Sequence, residues 1–248
     1  MVDWDRGQYE DTATELAPAA QHVVERAGIE EGHTVLDLGT GTGNAAFLAA
    51  QKGADVTAVD PSPRLLEVAK NRVGAGDFRV ATAEDLPFDD QSFDRVLSLF
   101  AVIFSEDPHK AAREITRVTR GRALITSWEP TGGMHEALGI LGRATSEAAG
   151  TSANRYPWGE PDRVKELFKG ADVAVERAQL AFEAPSAEDY MERFETRHPA
   201  GMLFRDVLTR SGDYAAKRAE AVAALGDGRP LRVTSSYFVF TVAPRAAG

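Results

Sequence analysis

Apolar residues recur along this chain in two periods. Leu16, Ala20, Val23, Val24 and Ala27 fall at helical spacing and predict a helix over residues 10–27, which Gly28 is placed to end. Residues 35–38 are an apolar run of strand length that stops at Gly39-Thr40-Gly41-Thr42-Gly43, and a helix-forming stretch over 45–51 follows at once. A second strand over 55–59 leads into Asp60-Pro61-Ser62-Pro63, with Ser62 an N-cap and Pro63 the first helical position. Leu65, Leu66, Val68, Ala69 and Val73 then mark the inner side of a second crossover helix. Strands follow over 78–81 and 93–100, the latter apolar almost throughout, as a strand covered on both faces is. Asp107-Pro108 opens a helix that buries Ala111, Ala112, Ile115 and Val118, and residues 123–128 read as the next strand. Strands alternating with helices through short connections predict an α/β, doubly wound parallel sheet.

After residue 128 the pattern changes. Residues 129–158 are rich in Gly, Ala and Thr, with a weak helix over 135–149. A helix over 161–169 precedes an alternating strand over 173–182, and the last strand spans 231–242. The roughly 45 residues between those strands far exceed an ordinary connection. They read as helices carrying Tyr190, Met191 and Phe194, then Met202, Leu203, Val207 and Leu208, then Ala221, Val222 and Leu225. Ser186 and Asp189 have the spacing of a capping box.

The glycine turn is where chemistry enters. Glycines at alternate positions admit positive φ and let a ligand approach the main chain, and the site is expected where the strand's carboxyl end meets the helix's amino end. Gly41-x-Gly43-x-x-Ala46 also satisfies the dinucleotide fingerprint, so the glycines alone leave NAD open. Asp37 stands two residues before Gly39, where a carboxylate repels a pyrophosphate and attracts a cation. Asp60 ends the second strand, where a carboxylate can accept from both hydroxyls of a ribose.

With these two carboxylates and the loop Thr82-Ala83-Glu84-Asp85-Leu86-Pro87-Phe88 in the right order, the chain resembles the class I S-adenosylmethionine-dependent methyltransferases. The likeness is to their small-molecule branch, the quinone-biosynthesis C-methyltransferase type. It implies a Rossmann-like fold, with a seven-stranded, mostly parallel sheet, an antiparallel last strand and helical lid insertions. It implies one domain over 1–248, with an amino-terminal cap at 1–27, a cofactor core at 28–130 and lid segments at 131–158 and 185–229. By the same likeness S-adenosylmethionine is the cofactor and S-adenosylhomocysteine its product. Tyr9, Asp37, Gly39, Thr40, Gly41, Asn44, Asp60, Pro61, Thr82, Ala83, Glu84 and Leu99 form the cofactor set. Loop 82–88 wraps the adenine. Thr82 replaces the family's usual acidic residue, with Glu84 or Asp85 as substitutes. Phe100 and Phe104 wall the methyl-transfer region, and Tyr9, Phe100, Trp128, Tyr156 or Trp158 offer a ring face to the sulfonium.

The methyl donor is already activated, so a missing triad or metal motif is no objection. His109 and His135 fall near the carboxyl edge of the sheet and, with Tyr156, are the candidates for a base; no histidine has metal-ligand spacing. A formal net charge of −10 argues against a nucleic-acid or anionic-membrane partner and for a small-molecule substrate. There is no cysteine, and no apolar run approaches about 18 residues. The amino terminus lacks a secretory pattern, so a cytoplasmic location is expected. Two other functions stay open: binding S-adenosylmethionine without methyl transfer, and NAD-dependent oxidoreduction.

Overall fold

The computed structural model describes residues 2–151 and 157–245. In chain order it contains α1 (Tyr9–Arg26), β1 (Thr34–Leu38), α2 (Asn44–Gln51), β2 (Asp55–Asp60), α3 (Pro63–Val73) and β3 (Asp77–Val80). β4 (Phe93–Leu99), α4 (Pro108–Val118), β5 (Thr119–Trp128), α5 (Gly132–Ala148) and α6 (Pro161–Leu167) follow. β6 (Ala171–Ala184), α7 (Ala187–Arg197), α8 (Pro199–Ser211), α9 (Tyr214–Leu225) and β7 (Leu231–Pro244) complete the order.

The seven strands lie in the order β3-β2-β1-β4-β5-β7-β6. β1 pairs in parallel with both β2 and β4, and β2–β3 and β4–β5 are parallel too. β7 runs antiparallel to β5, with Trp128 opposite Tyr237. The order reverses between β1 and β4, and in open α/β sheets it is beyond the carboxyl ends of strands at such a switch point that ligands bind. Leu36, Val96 and Ile125 of the sheet bury with Ile115 and Val118 of α4, Val164 of α6, and Trp158, Phe168 and Phe240. Trp158, read from the sequence as a ring face for a sulfonium, is therefore a core residue, 1% exposed and 6.2 Å from the Phe168 ring. Among the described residues no helix is long and apolar enough to cross a membrane.

The chain divides into two compact units. Unit 2 is Leu16–Trp128, Tyr156–Ala178 and Tyr237–Gly248, and unit 1 is Met1–Glu15, Glu129–Arg155 and Gln179–Ser236. In unit 1 the helices approach closely at glycines: a Cβ on Gly133 would press on the Ala224 carbonyl, and one on Gly201 on the Phe194 carbonyl. The amino-terminal segment is fastened there at several points. Gln8 N–H donates to the Arg197 carbonyl at 2.8 Å, Arg6 pairs with Asp206 at 2.9 Å, and Arg197 pairs with Asp11 at 2.5 Å. Gly7 has φ +73 and lies so close to the Arg197 carbonyl that a Cβ would overlap it.

Boundaries differ from expectation where side chains obscure the period. β5 begins at Thr119 rather than 123, because exposed Arg120 and Arg122 flank Gly121 and no apolar alternation marks that stretch. Gly121 lies against the Asp94 carbonyl and Arg120 pairs with Asp94 at 2.8 Å, so tertiary contacts hold the strand. α5 starts at Gly132, three residues before the predicted onset, although two glycines make a poor first turn.

Candidate functional site

The turn after β1 is stitched to β2 by main chain, Gly39 and Thr40 both donating to the Val59 carbonyl at 2.8 and 3.0 Å. Gly39 and Gly43 adopt φ +69 and +81, a region closed to most side chains. Gly43 stands at the N-cap of α2 and has no side chain to cap it. Asp37 does so from β1: its Oδ2 accepts from Ala46 N–H in the first turn at 2.9 Å and from Thr40 Oγ1 at 2.7 Å. A carboxylate suits the positive end of the helix dipole. Asp60 braces the other side of the turn, accepting from Gly41 N–H at 2.8 Å through Oδ2 and from Ser62 N–H at 2.9 Å through Oδ1.

Both carboxylates are buried, Asp37 at 2% exposure and Asp60 at 6%. Burial pushes the Asp37 carboxyl up to about 6, against the opposing hydrogen bonds from Thr40 and Ala46, and the Asp60 charge pushes the same way. Both hydrogen bonds to Asp37 fall on Oδ2, and among the described residues none reaches Oδ1. A buried carboxyl with a free oxygen and a reluctant charge is suited to a ligand that brings positive charge or donors.

The remaining predicted positions fall around this centre or apart from it. Pro61 follows Asp60 directly and is exposed. Asn44 opens α2, and its Oδ1 accepts from Arg72 Nη1 at 2.5 Å, a contact the sequence did not foretell. Thr82 and Ala83 form a tight turn after β3, with Asp85 N–H on the Thr82 carbonyl at 3.3 Å. Glu84 accepts from Glu106 N–H at 2.7 Å, tying its loop to the start of α4. Leu99 ends β4 beside Thr126 of β5.

Phe100 takes φ +52, which is strained for a bulky residue. Its N–H donates at 2.8 Å to Thr126 Oγ1, and its ring stacks on Trp128 with centroids 4.0 Å apart and planes 12° from parallel. Tyr237 meets Phe100 edge-on at 5.4 Å. Of the expected aromatic walls, Phe100 is thus packed into a ring cluster and Phe104 is 42% exposed. Next to the turn, a Cβ on Gly39 would overlap that of Ala101, so the glycine permits this loop to sit against the chain that leaves β4.

His109 sits exposed at the start of α4, its main-chain N–H on Asp107 at 3.0 Å. Tyr9 and His135 belong to unit 1, and Tyr156 lies outside the described residues. Partial burial first, and the Arg143 charge second, hold the His135 imidazole below its usual value. The Tyr9 ring packs at 5.6 Å from Trp4 and 5.7 Å from His198. His198, which no motif singles out, accepts from Ala200 N–H at 3.1 Å through Nδ1 and so caps α8. Burial pushes it down to about 4, so it is a neutral structural group.

A model of the methyltransferase domain matches residues 36–126, the stretch that carries the turn, both carboxylates and loop 82–88. The chain is 34% identical over 204 residues to the uncharacterized protein Rv1403c of Mycobacterium tuberculosis, covering 77% of this chain and 74% of that one. Over 100 residues it is 44% identical to a demethylmenaquinone methyltransferase of Clavibacter sepedonicus, 38% of this chain and 40% of that protein. The crystal structure of the YcgJ protein of Bacillus subtilis shares the fold, with a TM-score of 0.65 at 21% identity, over 93% of this chain and 99% of that one. A methyltransferase match that takes in this turn, in a sheet of this order, makes the chain a member of the class I S-adenosylmethionine-dependent methyltransferases.

Proposed function

We propose that this enzyme moves the methyl group of S-adenosylmethionine to a small-molecule acceptor by in-line displacement. The observation that carries the reading is the pair of buried carboxylates that hold the glycine turn from β1 and β2. Asp60 is assigned to the ribose hydroxyls, and Gly39, Thr40 and Gly41 to the methionine portion beside Asp37. Asn44, Pro61 and Leu99 line the same stretch, Thr82, Ala83 and Glu84 belong to the adenine loop, and Tyr9 supplies the amino-terminal contact. The donor supplies an activated methyl group on a positively charged sulfur.

The protein's part is placement. Asp37 and Asp60 fix the turn before any ligand arrives, which lowers the ordering cost of binding. Orientation of the reacting atoms can supply about 7–11 kcal/mol of barrier lowering. The Phe100 and Trp128 rings are assigned to the methyl-transfer region, where an aromatic face stabilises a cation by about 0.5–2 kcal/mol. His109, His135 and Tyr156 are the candidates to take a proton from an acceptor that must lose one. The acidic balance of the chain supports an acceptor that is not a nucleic acid. Lid segments 131–158 and 185–229 are assigned to acceptor choice.

Thermal unfolding with S-adenosylhomocysteine or NADH, each at several concentrations, tests the donor. A ligand at about 100 times its dissociation constant adds roughly 2.7 kcal/mol of apparent stability. Stabilisation by S-adenosylhomocysteine alone is expected; stabilisation by NADH alone overturns the reading. Turnover of a labelled methyl group over an acceptor panel then tests transfer. Donor binding with no labelled product would mark a binding protein instead.

A further inference from the structure

Residues 81–92, twelve in all, join β3 to β4 with no helix among them, a length at which a loop needs either ties or a partner. Here the ties come from one helix. Arg117 of α4 donates from Nη1 to the Phe88 carbonyl at 2.6 Å and from Nη2 to the Leu86 carbonyl at 3.0 Å. Glu114, one helical turn earlier, accepts from Leu86 N–H at 2.9 Å. The two side chains lock each other, with Arg117 Nε and Nη2 each 2.7 Å from the Glu114 carboxylate, and Arg117 also reaches Asp90 at 3.1 Å. The Arg117 carbonyl takes Gln91 N–H at 2.8 Å. At the other end of α4, Glu84 is held by Glu106 N–H. The loop is held at Glu84 and again from Leu86 to Gln91, and the turn 82–85 that leads into these ties, with Thr82 and Asp85 exposed, is what remains to face a ligand.

We infer that Arg117 and Glu114 are positioning residues for base recognition: they set the main chain of loop 82–88 at the height where it meets the adenine of the methyl donor. The inference rests on the proposed donor and on that loop as its adenine contact. Neither side chain touches the donor; both act through Leu86 and Phe88. Charge pairing supports the clamp. The Arg117 hydrogen bonds hold the Glu114 carboxyl below its usual range, with burial opposing, and Glu114 holds the Arg117 guanidinium above its own. A fixed loop meets the base without an ordering cost, and a loosened one pays it at each binding event.

The experiment is calorimetric titration of the full chain with S-adenosylhomocysteine and with its hypoxanthine counterpart, S-inosylhomocysteine. The wild type is compared with Arg117→Met, which keeps the apolar stem, Arg117→Lys and Glu114→Gln. The wild type is expected to favour the adenine form about tenfold or more, since the two ligands differ in the base edge that the loop reads. Arg117→Met should weaken S-adenosylhomocysteine about tenfold and narrow the base preference at least about threefold, with Arg117→Lys recovering part of both. A purely structural role would lower the unfolding temperature and leave the base preference unchanged. Arg117→Met that folds and keeps affinity and preference within about twofold overturns the inference. Should that variant not fold, Glu114→Gln decides by the same narrowing of preference. A wild type that binds both ligands equally overturns the adenine role of the loop, and one that binds neither overturns the donor reading itself.

Discussion

At Asp37 burial works against ionisation, and the consequence is a measurable dependence on pH. Its folded-state value of about 6 lies above the ordinary 3.8. Below 3.8 both states carry the proton and the contribution to stability is complete. Between 3.8 and 6 the folded chain keeps a proton that the unfolded chain releases, so stability falls as pH rises through that window. Above it the charged carboxylate costs roughly 3 kcal/mol. Asp37→Asn keeps an acceptor for Thr40 and Ala46 without the charge. It is expected to raise the urea midpoint at pH 7.5, with a gap to wild type that closes toward pH 4. The same variant should weaken S-adenosylmethionine, and wild-type affinity for that cation should fall as pH drops through about 6, both read by calorimetry. Asp60→Ala removes the stitch to Gly41 in the turn and the one to Ser62, and should weaken S-adenosylhomocysteine by about 1.5–3 kcal/mol. The place of these two carboxylates in β1 and at the end of β2 was legible in the sequence, because an acid within or closing a short apolar run has a local signature. That Asp37 caps α2 was not, since a cap donated from another element depends on how strand and helix meet.

Elements repeat the contrast. Ser62, Asp107 and Ser186 cap α3, α4 and α7 as their sequences predict, because a cap and its target lie within three residues. The end of β4 is another matter. The apolar run continues through Phe100, yet the strand stops at Leu99 and Phe100 turns to positive φ. What holds that turn is Thr126 on the neighbouring strand, fully buried and 26 positions away. Thr126→Val preserves shape and deletes the acceptor, leaving a buried N–H unpaired. The expected cost is about 1–3 kcal/mol in urea unfolding, with Thr126→Ser close to wild type. Loop 82–88 likewise owes its course to α4, and no residue within it announces that debt.

On the scale of the molecule, the first 128 residues were readable since each βα unit is contiguous in the chain and its period is uninterrupted. Unit 1 was harder because it gathers three separate stretches, and its helices carry no motif that names an acceptor. Charge acts at this scale too. With a net charge of −10, the protein is expected to pass through a heparin column unretained at 0.15 M salt; retention would reveal a basic face that the total conceals. The fastening of the amino-terminal segment has a consequence during biosynthesis. Arg6 meets Asp206 across 200 positions, and Asp11 meets Arg197 across 186. A ribosome adding about 5–20 residues per second needs about 10–40 s to deliver those partners. Through that interval the nascent chain carries Trp4 and Tyr9 without the ring of His198 to receive them. This segment is made long before it can dock, and any message that stops short of the codon for Arg197 leaves it undocked for good.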